Sequence, residues 1–173
     1  SGTCSKGIKF VLFADDTSIF ISGDTISDVQ RMIDLILTNL QDYLCSNYLH
    51  LNVGKTNFIH FRSLLDNSKQ SFIPKFNGSV IVCVDQVKFL GVLVDSKLSW
   101  DPHITQVVNK TYCTLGILRR LRNCLPKSMR RSVFESLIQS NIRYALCVWG
   151  SPNNKLLPLF KLQKDAVRIL YNI

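Results

Sequence analysis

Apolar residues along the chain change their spacing once, near residue 100. Before it, short β-branched and aromatic runs alternate with polar positions and are interrupted by one helical stretch; after it, the period is helical throughout. The first run, Ile8–Phe13, faces Thr17–Ile21 across Ala14-Asp15-Asp16, which predicts a β-hairpin with carboxylates at its turn. Ser27-x-x-Gln30 has the form of a capping box. Val29, Met32/Ile33, Ile36, Leu40 and Tyr43/Leu44 follow at helical spacing, predicting an amphipathic helix of about five turns with one face on the sheet. Asn57–Phe61 alternates as a strand, and the polar stretch Ser63–Ser71 reads as a loop. Phe72–Phe76 and Ser79–Val84 flank Asn77-Gly78, a hairpin signal because both turn positions need φ > 0, and Val87–Val94 reads as one further strand.

Asp101-Pro102 then supplies an N-cap and a proline at N1. Ile104, Val107/Val108, Thr111, Leu115, Leu118 and Leu121 form the buried stripe of a helix that Pro126 ends. A second helix is predicted from about Ser128 to Trp149, with Val133/Phe134, Leu137/Ile138 and Tyr144/Ala145 inward and Gly150 as a C′ stop. Pro158 introduces a third, carrying Leu159, Leu162, Ala166 and Leu170. Short links between three helices predict a small antiparallel bundle, and the whole reads as α+β with a division near residue 100.

Charge sharpens that division. Residues 1–86 carry seven Lys/Arg and eight Asp/Glu, a net of −1, whereas residues 87–173 carry fourteen and four, a net of +10, within an overall +9. A basic half suits either a polyanion partner or a solvated helix surface. Hydrophobic residues make up 46% and mean hydropathy is +0.13, enough apolar material for packed cores and not a disordered composition. No apolar run approaches the ~18 residues that cross a bilayer, so no membrane partner is expected. A chain that opens at Ser1 with no charged-then-apolar leader reads as an excised piece without a signal peptide. Six scattered cysteines lack zinc spacing and read as buried, reduced thiols of an intracellular protein, with Cys83 and Cys147 acting as small hydrophobes.

The chemistry-bearing feature is Asp15-Asp16. Adjacent carboxylates repel, and a turn that presses them together suits a divalent cation; Mg²⁺ prefers one or two carboxylates completed by phosphate oxygens. Aspartate is also favoured in turns for its own sake, so the dipeptide alone fits both accounts.

Its surroundings narrow the choice. Phe13-Ala14-Asp15-Asp16-Thr17, then Leu51-Asn52-x-x-Lys55-Thr56, then Val87-Lys88-Phe89-Leu90-Gly91-Val92-x-x-Asp95, then Trp100 and His103-Ile104, resembles the reverse transcriptases of non-LTR (LINE-like) retrotransposons, the jockey type above all. Tyr144 to Trp149-Gly150 and Leu162-Gln163-x-x-Ala166-x-Arg168 extend the resemblance toward the C-terminus, so that it spans nearly the whole chain.

The resemblance implies a fold and a set of roles. Residues 1–100 correspond to the C-terminal part of a polymerase palm, antiparallel strands plus one helix, and residues 101–173 to a three-helix thumb or connection. Asp15 takes the place of a ligand of catalytic Mg²⁺ (or Mn²⁺), with Asp16 as an accessory carboxylate. Lys55 corresponds to the lysine that assists the leaving pyrophosphate. Phe89, Leu90 and Gly91 correspond to the primer grip, where Gly91 lets backbone approach the primer and Phe89 packs beneath it. Arg119, Arg120, Arg122, Arg130 and Arg131, clustered about Pro126, would meet phosphates of an RNA template–DNA primer duplex. The implied activity is RNA-directed DNA polymerisation from dNTPs, in a cytoplasmic ribonucleoprotein and the nucleus. In the family, the first metal-binding Asp strand, the Gln/Gly helix and the fingers come before the Asp-Asp hairpin, and Ser1–Lys6 resembles the loop just preceding it. The expectation is therefore a polymerase fragment that needs its upstream half and is inactive alone. A nucleic-acid-binding remnant of a truncated element is the alternative.

Overall fold

The computed structural model describes residues 7–62, 72–150 and 154–171 (residue 154 by its backbone only), so the predicted loop 63–71, Cys4 and the segment Ser1–Lys6 lie outside the described residues. The chain divides into two compact units. The first comprises Ser1–His60 and Leu65–Asp85, the second Phe61–Leu64 and Gln86–Ile173.

In the first unit, β1 (Gly7–Phe13) and β2 (Asp16–Ser22) form an antiparallel hairpin that pairs Phe13 with Asp16 and Gly7 with Ser22. The predicted hairpin is present, with Ala14 and Asp15 as its two-residue loop and Asp16 already in the strand. α1 (Ile26–Ser46) follows. Its cap is Thr25 rather than the expected Ser27: Thr25 Oγ1 accepts the Asp28 amide at 3.1 Å, a contact worth about 1 kcal/mol. At its other end Tyr48 is left-handed (φ 56°). The Leu49 amide donates to Leu44 O at 2.8 Å and the Tyr48 amide to Cys45 O at 3.2 Å, a Schellman stop built on a tyrosine.

α1 packs against β2 and against β4 (Lys75–Phe76). β3 (Asn57–Phe58) runs parallel to β6 (Val82–Cys83), a departure from the all-antiparallel expectation, and β4 pairs antiparallel with β5 (Ser79–Val80). Asn77 (φ 49°) and Gly78 (φ 80°) turn that hairpin as Asn-Gly predicts. Among the described residues, the buried apolar side chains of this unit are few: Ile36 from the α1 stripe, Phe76 and Ile81. Phe10, Leu12 and Phe13 of β1 stand exposed.

The second unit owns the larger core. β7 (Gln86–Phe89) and β8 (Val92–Asp95) form an antiparallel hairpin where one continuous strand was expected. Leu90 (φ 45°) and Gly91 (φ 83°) turn it. Helical segments follow: α2 (Asp101–Leu121), α3 (Lys127–Val133) continuing through a π-helical stretch, Phe134–Gln139, into α4 (Ser140–Arg143), then α5 (Leu146–Trp149), a 3₁₀ turn (Asn154–Leu156) and α6 (Leu157–Tyr171). The predicted stripes on α2 and α6 are buried: Ile104, Val107, Leu115 and Leu118 meet Leu159, Ala166 and Leu170 in one cluster with Phe134, Ile138 and Trp149. The second predicted helix is not continuous. Tyr144 leaves helical geometry at ψ 119° and Ala145 is left-handed at φ 51°, so Tyr144 turns outward. Gly150 caps α5 with φ −83°, not in the left-handed form expected of a C′ glycine.

Trp100, not Asp101, is the N-cap residue of α2, and it too is left-handed (φ 63°). Asp95 makes that entry possible. Its carboxylate accepts the amides of Trp100 (2.9 Å), Ser99 (3.0 Å) and Lys97 (3.3 Å), wrapping the loop around one buried side chain. Burial pushes its pKa up, but the Ser99, Trp100 and Lys97 amides together with the Ser99 hydroxyl outweigh that and hold it below the ordinary carboxylate value.

The described cysteines, Cys45, Cys83, Cys113, Cys124 and Cys147, are all free and exposed, which corrects the expectation that they are buried. β6 is only two residues long and α5 presents Cys147 outward, so neither Cys83 nor Cys147 fills a core. Among the described residues, no helix is long and apolar enough to cross a membrane.

Candidate functional site

The hairpin lifts Asp15 and Asp16 to the exposed tip of β1–β2. Ala14 takes a left-handed φ of 51° to make the turn, a conformation that costs an L-residue about 1–2 kcal/mol. Among the described residues neither carboxylate makes an ion pair, and no group of three His, Cys, Asp or Glu could enclose a metal. The donor set therefore fits a Mg²⁺ site in part: hard, adjacent, accessible oxygens of the preferred type, with the remaining ligands to come from elsewhere.

Lys55 ends a short 3₁₀ turn, Val53–Lys55, capped by Asn52, whose Oδ1 accepts the Lys55 amide at 3.2 Å. Thr56 Oγ1 donates to Asn52 O at 2.9 Å. Thus Leu51-Asn52-x-x-Lys55-Thr56 is a self-bonded turn that presents an exposed lysine. Among the described residues, no ion pair joins Lys55 to Asp15 or Asp16.

Phe89, Leu90 and Gly91 lie together at the β7–β8 turn of the second unit. Phe89 is half-buried, whereas Leu90 and Gly91 are exposed. The turn is tied to the helices by residues that the sequence reading grouped with the resemblance but gave no role. Tyr144 Oη donates to Leu90 O at 2.5 Å. The Tyr144 carbonyl accepts from Trp149 Nε1 at 2.9 Å. Trp149, 1% exposed, meets the His103 ring edge-on at 5.2 Å, and His103 Nδ1 accepts the Leu93 amide of β8 at 3.2 Å. Burial lowers the His103 pKa and favours the neutral ring with its proton on Nε2.

Arg119 and Arg120 at the end of α2, Arg122 just beyond it and Arg131 on α3 are exposed. Arg130 is not: it is 7% exposed, and its Nη1 donates to Ile169 O of α6 at 3.4 Å. It anchors the helix pair instead of facing solvent. The signal was legible, because Arg130 stands three and four residues before the inward Val133 and Phe134.

Comparison with known proteins agrees with the motif resemblance. The chain is 25% identical over 148 residues to the "Retrovirus-related Pol polyprotein from type-1 retrotransposable element R1" of Bradysia coprophila, covering 84% of this chain and 15% of that protein. It is 22% identical over 153 residues to the "RNA-directed DNA polymerase from mobile element jockey" of Drosophila funebris, covering 87% and 16%. It is 24% identical over 141 residues to the "Probable RNA-directed DNA polymerase from transposon BS" of Drosophila melanogaster, covering 80% and 16%. The chain thus spans about a sixth of the curated relatives it matches. No family model matches, and no solved structure matches.

Proposed function

We propose that this chain is the palm-to-thumb segment of an RNA-directed DNA polymerase of a non-LTR retrotransposon. The carrying observation is the similarity to three mobile-element polymerases over 80–87% of the chain. The exposed Asp15-Asp16 tip supports it, because a polymerase carboxylate must be reachable by substrate phosphates.

In this reading Asp15 holds Mg²⁺ (or Mn²⁺) with Asp16 as accessory, completed by a carboxylate from the upstream half of the polymerase. Two such cations would supply, when bound, activation of the primer 3′-hydroxyl by one and neutralisation of charge on the departing pyrophosphate by the other. Lys55 supplies a positive charge, and a proton if required, to that leaving group. The Phe89–Gly91 turn contacts the primer strand through backbone, since Gly91 has no side chain to hold it off. Arg119, Arg120, Arg122 and Arg131 contact phosphates of the template–primer duplex. Arg130 is excluded from that set by its burial.

Because the 173 residues offer Asp15 and Asp16 with no further ligand cluster among the described residues, the isolated chain should not extend a DNA primer on RNA with Mg²⁺. Robust extension by the purified chain overturns this. A duplex-binding remnant without catalysis is a second reading, favoured by the exposed arginines. It predicts salt-dependent duplex binding that Arg119/Arg120/Arg122→Ala abolishes and Asp15→Ala leaves intact.

A further inference from the structure

The Leu90-Gly91 turn is unusual in how it is held. Both turn residues are left-handed, as at Asn77-Gly78, but leucine is not among the residues that favour such a turn. Leu90 at φ 45° is in a conformation that costs an L-residue about 1–2 kcal/mol, and a contact from outside the turn offsets that cost. Its carbonyl oxygen accepts the Tyr144 hydroxyl across 54 residues of sequence. The Tyr144 ring also covers Gly91: a Cβ placed there would lie 3.3 Å from Cε1 and 3.6 Å from the hydroxyl. Gly91 is therefore favoured by its φ of 83°, and a Cβ there would press the Tyr144 ring to give way by a few tenths of an ångström.

Tyr144 is itself placed by a helix that breaks at that point. The π-helical stretch Phe134–Gln139 shifts the phase of the residues after it, and Tyr144-Ala145 then leaves the helix altogether. Trp149 Nε1 fixes the Tyr144 carbonyl, and Trp149 is clamped by His103, which returns to β8 through the Leu93 amide. The contacts close a ring: turn, Tyr144, Trp149, His103, β8. A tyrosine that is 54% exposed contributes little by burial, and the break secures two contacts instead, its carbonyl with Trp149 Nε1 and its hydroxyl with the turn.

We propose that Tyr144 is a positioning residue: its hydroxyl sets the direction of the Leu90 carbonyl and the height of the Gly91 backbone, and so the surface that the turn offers to a primer strand. The proposal rests on reading this turn as the primer contact. Tyr144 need not touch nucleic acid to act; it acts through the turn.

The test uses Tyr144→Phe, which removes the hydroxyl and keeps the ring, in the 173-residue chain. Two readouts separate the latch from the site. Amide hydrogen exchange across residues 89–92 is expected to rise about tenfold in the variant, while exchange around Trp149 and α2 stays unchanged. Photo-cross-linking from a primer 3′-terminal thiopyrimidine in an RNA–DNA duplex is expected to label the turn in the wild type and to fall about fivefold in the variant, with overall duplex affinity within about twofold. Unchanged exchange at residues 89–92 overturns the latch whatever the cross-linking shows. Raised exchange with unchanged cross-linking yield overturns the positioning role. Raised exchange with no wild-type cross-link to the turn overturns the primer-contact reading, and the positioning role falls with it. Tyr144→Ala, which also uncovers Gly91, should exceed Tyr144→Phe in both readouts; equal effects would mean that the hydroxyl carries the whole contact, and a smaller effect would overturn the assignment to Tyr144.

Discussion

Replacing Asp95 with alanine removes the acceptor around which residues 97–100 are folded. Three amides lose their partner: Trp100 at 2.9 Å, Ser99 at 3.0 Å and Lys97 at 3.3 Å. Hydrogen bonds to an ionised acceptor contribute about 1.5–3 kcal/mol each, and the two shorter ones set the scale. Water can reach parts of this loop and recover some of that, since Ser99 and Trp100 are only half-buried although Asp95 itself is 9% exposed. The expected loss is about 2–4 kcal/mol. With a urea slope of about 1.5 kcal/mol per molar, the denaturation midpoint should fall by roughly 1.3–2.7 M. Asp95→Asn retains one carbonyl acceptor and loses the charge, so it should cost about half as much.

The same substitution has a pH signature. The folded-state pKa lies below the ordinary 3.8, so the unfolded chain takes up the proton first as pH falls. The stabilisation is fully present above the unfolded value and is lost as pH drops through 3.8 and on through the folded value. Urea melts of wild type and both variants from pH 7 to pH 3, followed by circular dichroism, measure this. The gap between wild type and Asp95→Asn should narrow toward pH 3. A cost below about 0.5 kcal/mol for Asp95→Ala, or a gap that is flat with pH, refutes the role given to the carboxylate.

Other expectations are independent of that loop. His103 is held neutral by burial, so its contribution is present above about pH 6.5 and declines as pH falls below it; His103→Gln should flatten the stability profile between pH 7 and pH 5 in thermal melts. Tyr48 is left-handed and 93% exposed, so Tyr48→Gly should stabilise by about 0.5–1 kcal/mol, read as a higher melting temperature. Arg119/Arg120/Arg122→Ala should weaken RNA–DNA duplex binding and reduce the slope of log affinity against log salt by about 2–3. Arg130→Ala should lower stability by about 1–3 kcal/mol and leave that slope unchanged, because its guanidinium already serves Ile169.

The helical half was the more legible because its signals are local and repeated. The α2 and α6 stripes from Ile104 to Leu118 and from Leu159 to Leu170 bury as their spacing predicts. Asn77-Gly78 announced its own turn for a similar reason: both residues tolerate φ > 0. Leu90-Gly91 did not, because leucine carries no such signal and its conformation is supported by Tyr144, distant in sequence. The break at Tyr144-Ala145 was hidden inside an apolar run that reads as helix, and it is fixed by a Trp149 hydrogen bond that no periodicity expresses. Asp95 was visible as part of a motif, yet its task exists only after the loop has closed around it. Of the proposed site, the Asp15-Asp16 tip was legible as a placement, since alternating apolar residues on both sides fix the turn between them. Its chemistry depends on ligands that a single hairpin does not contain.

Primer extension tests that chemistry most directly. These 173 residues, joined to an upstream polymerase half that carries the other carboxylate strand, should extend a DNA primer on an RNA template with Mg²⁺. Asp15→Ala in that protein should lower the rate at least about a hundredfold while leaving duplex binding intact. Extension by Asp15→Ala at the wild-type rate would contradict the account.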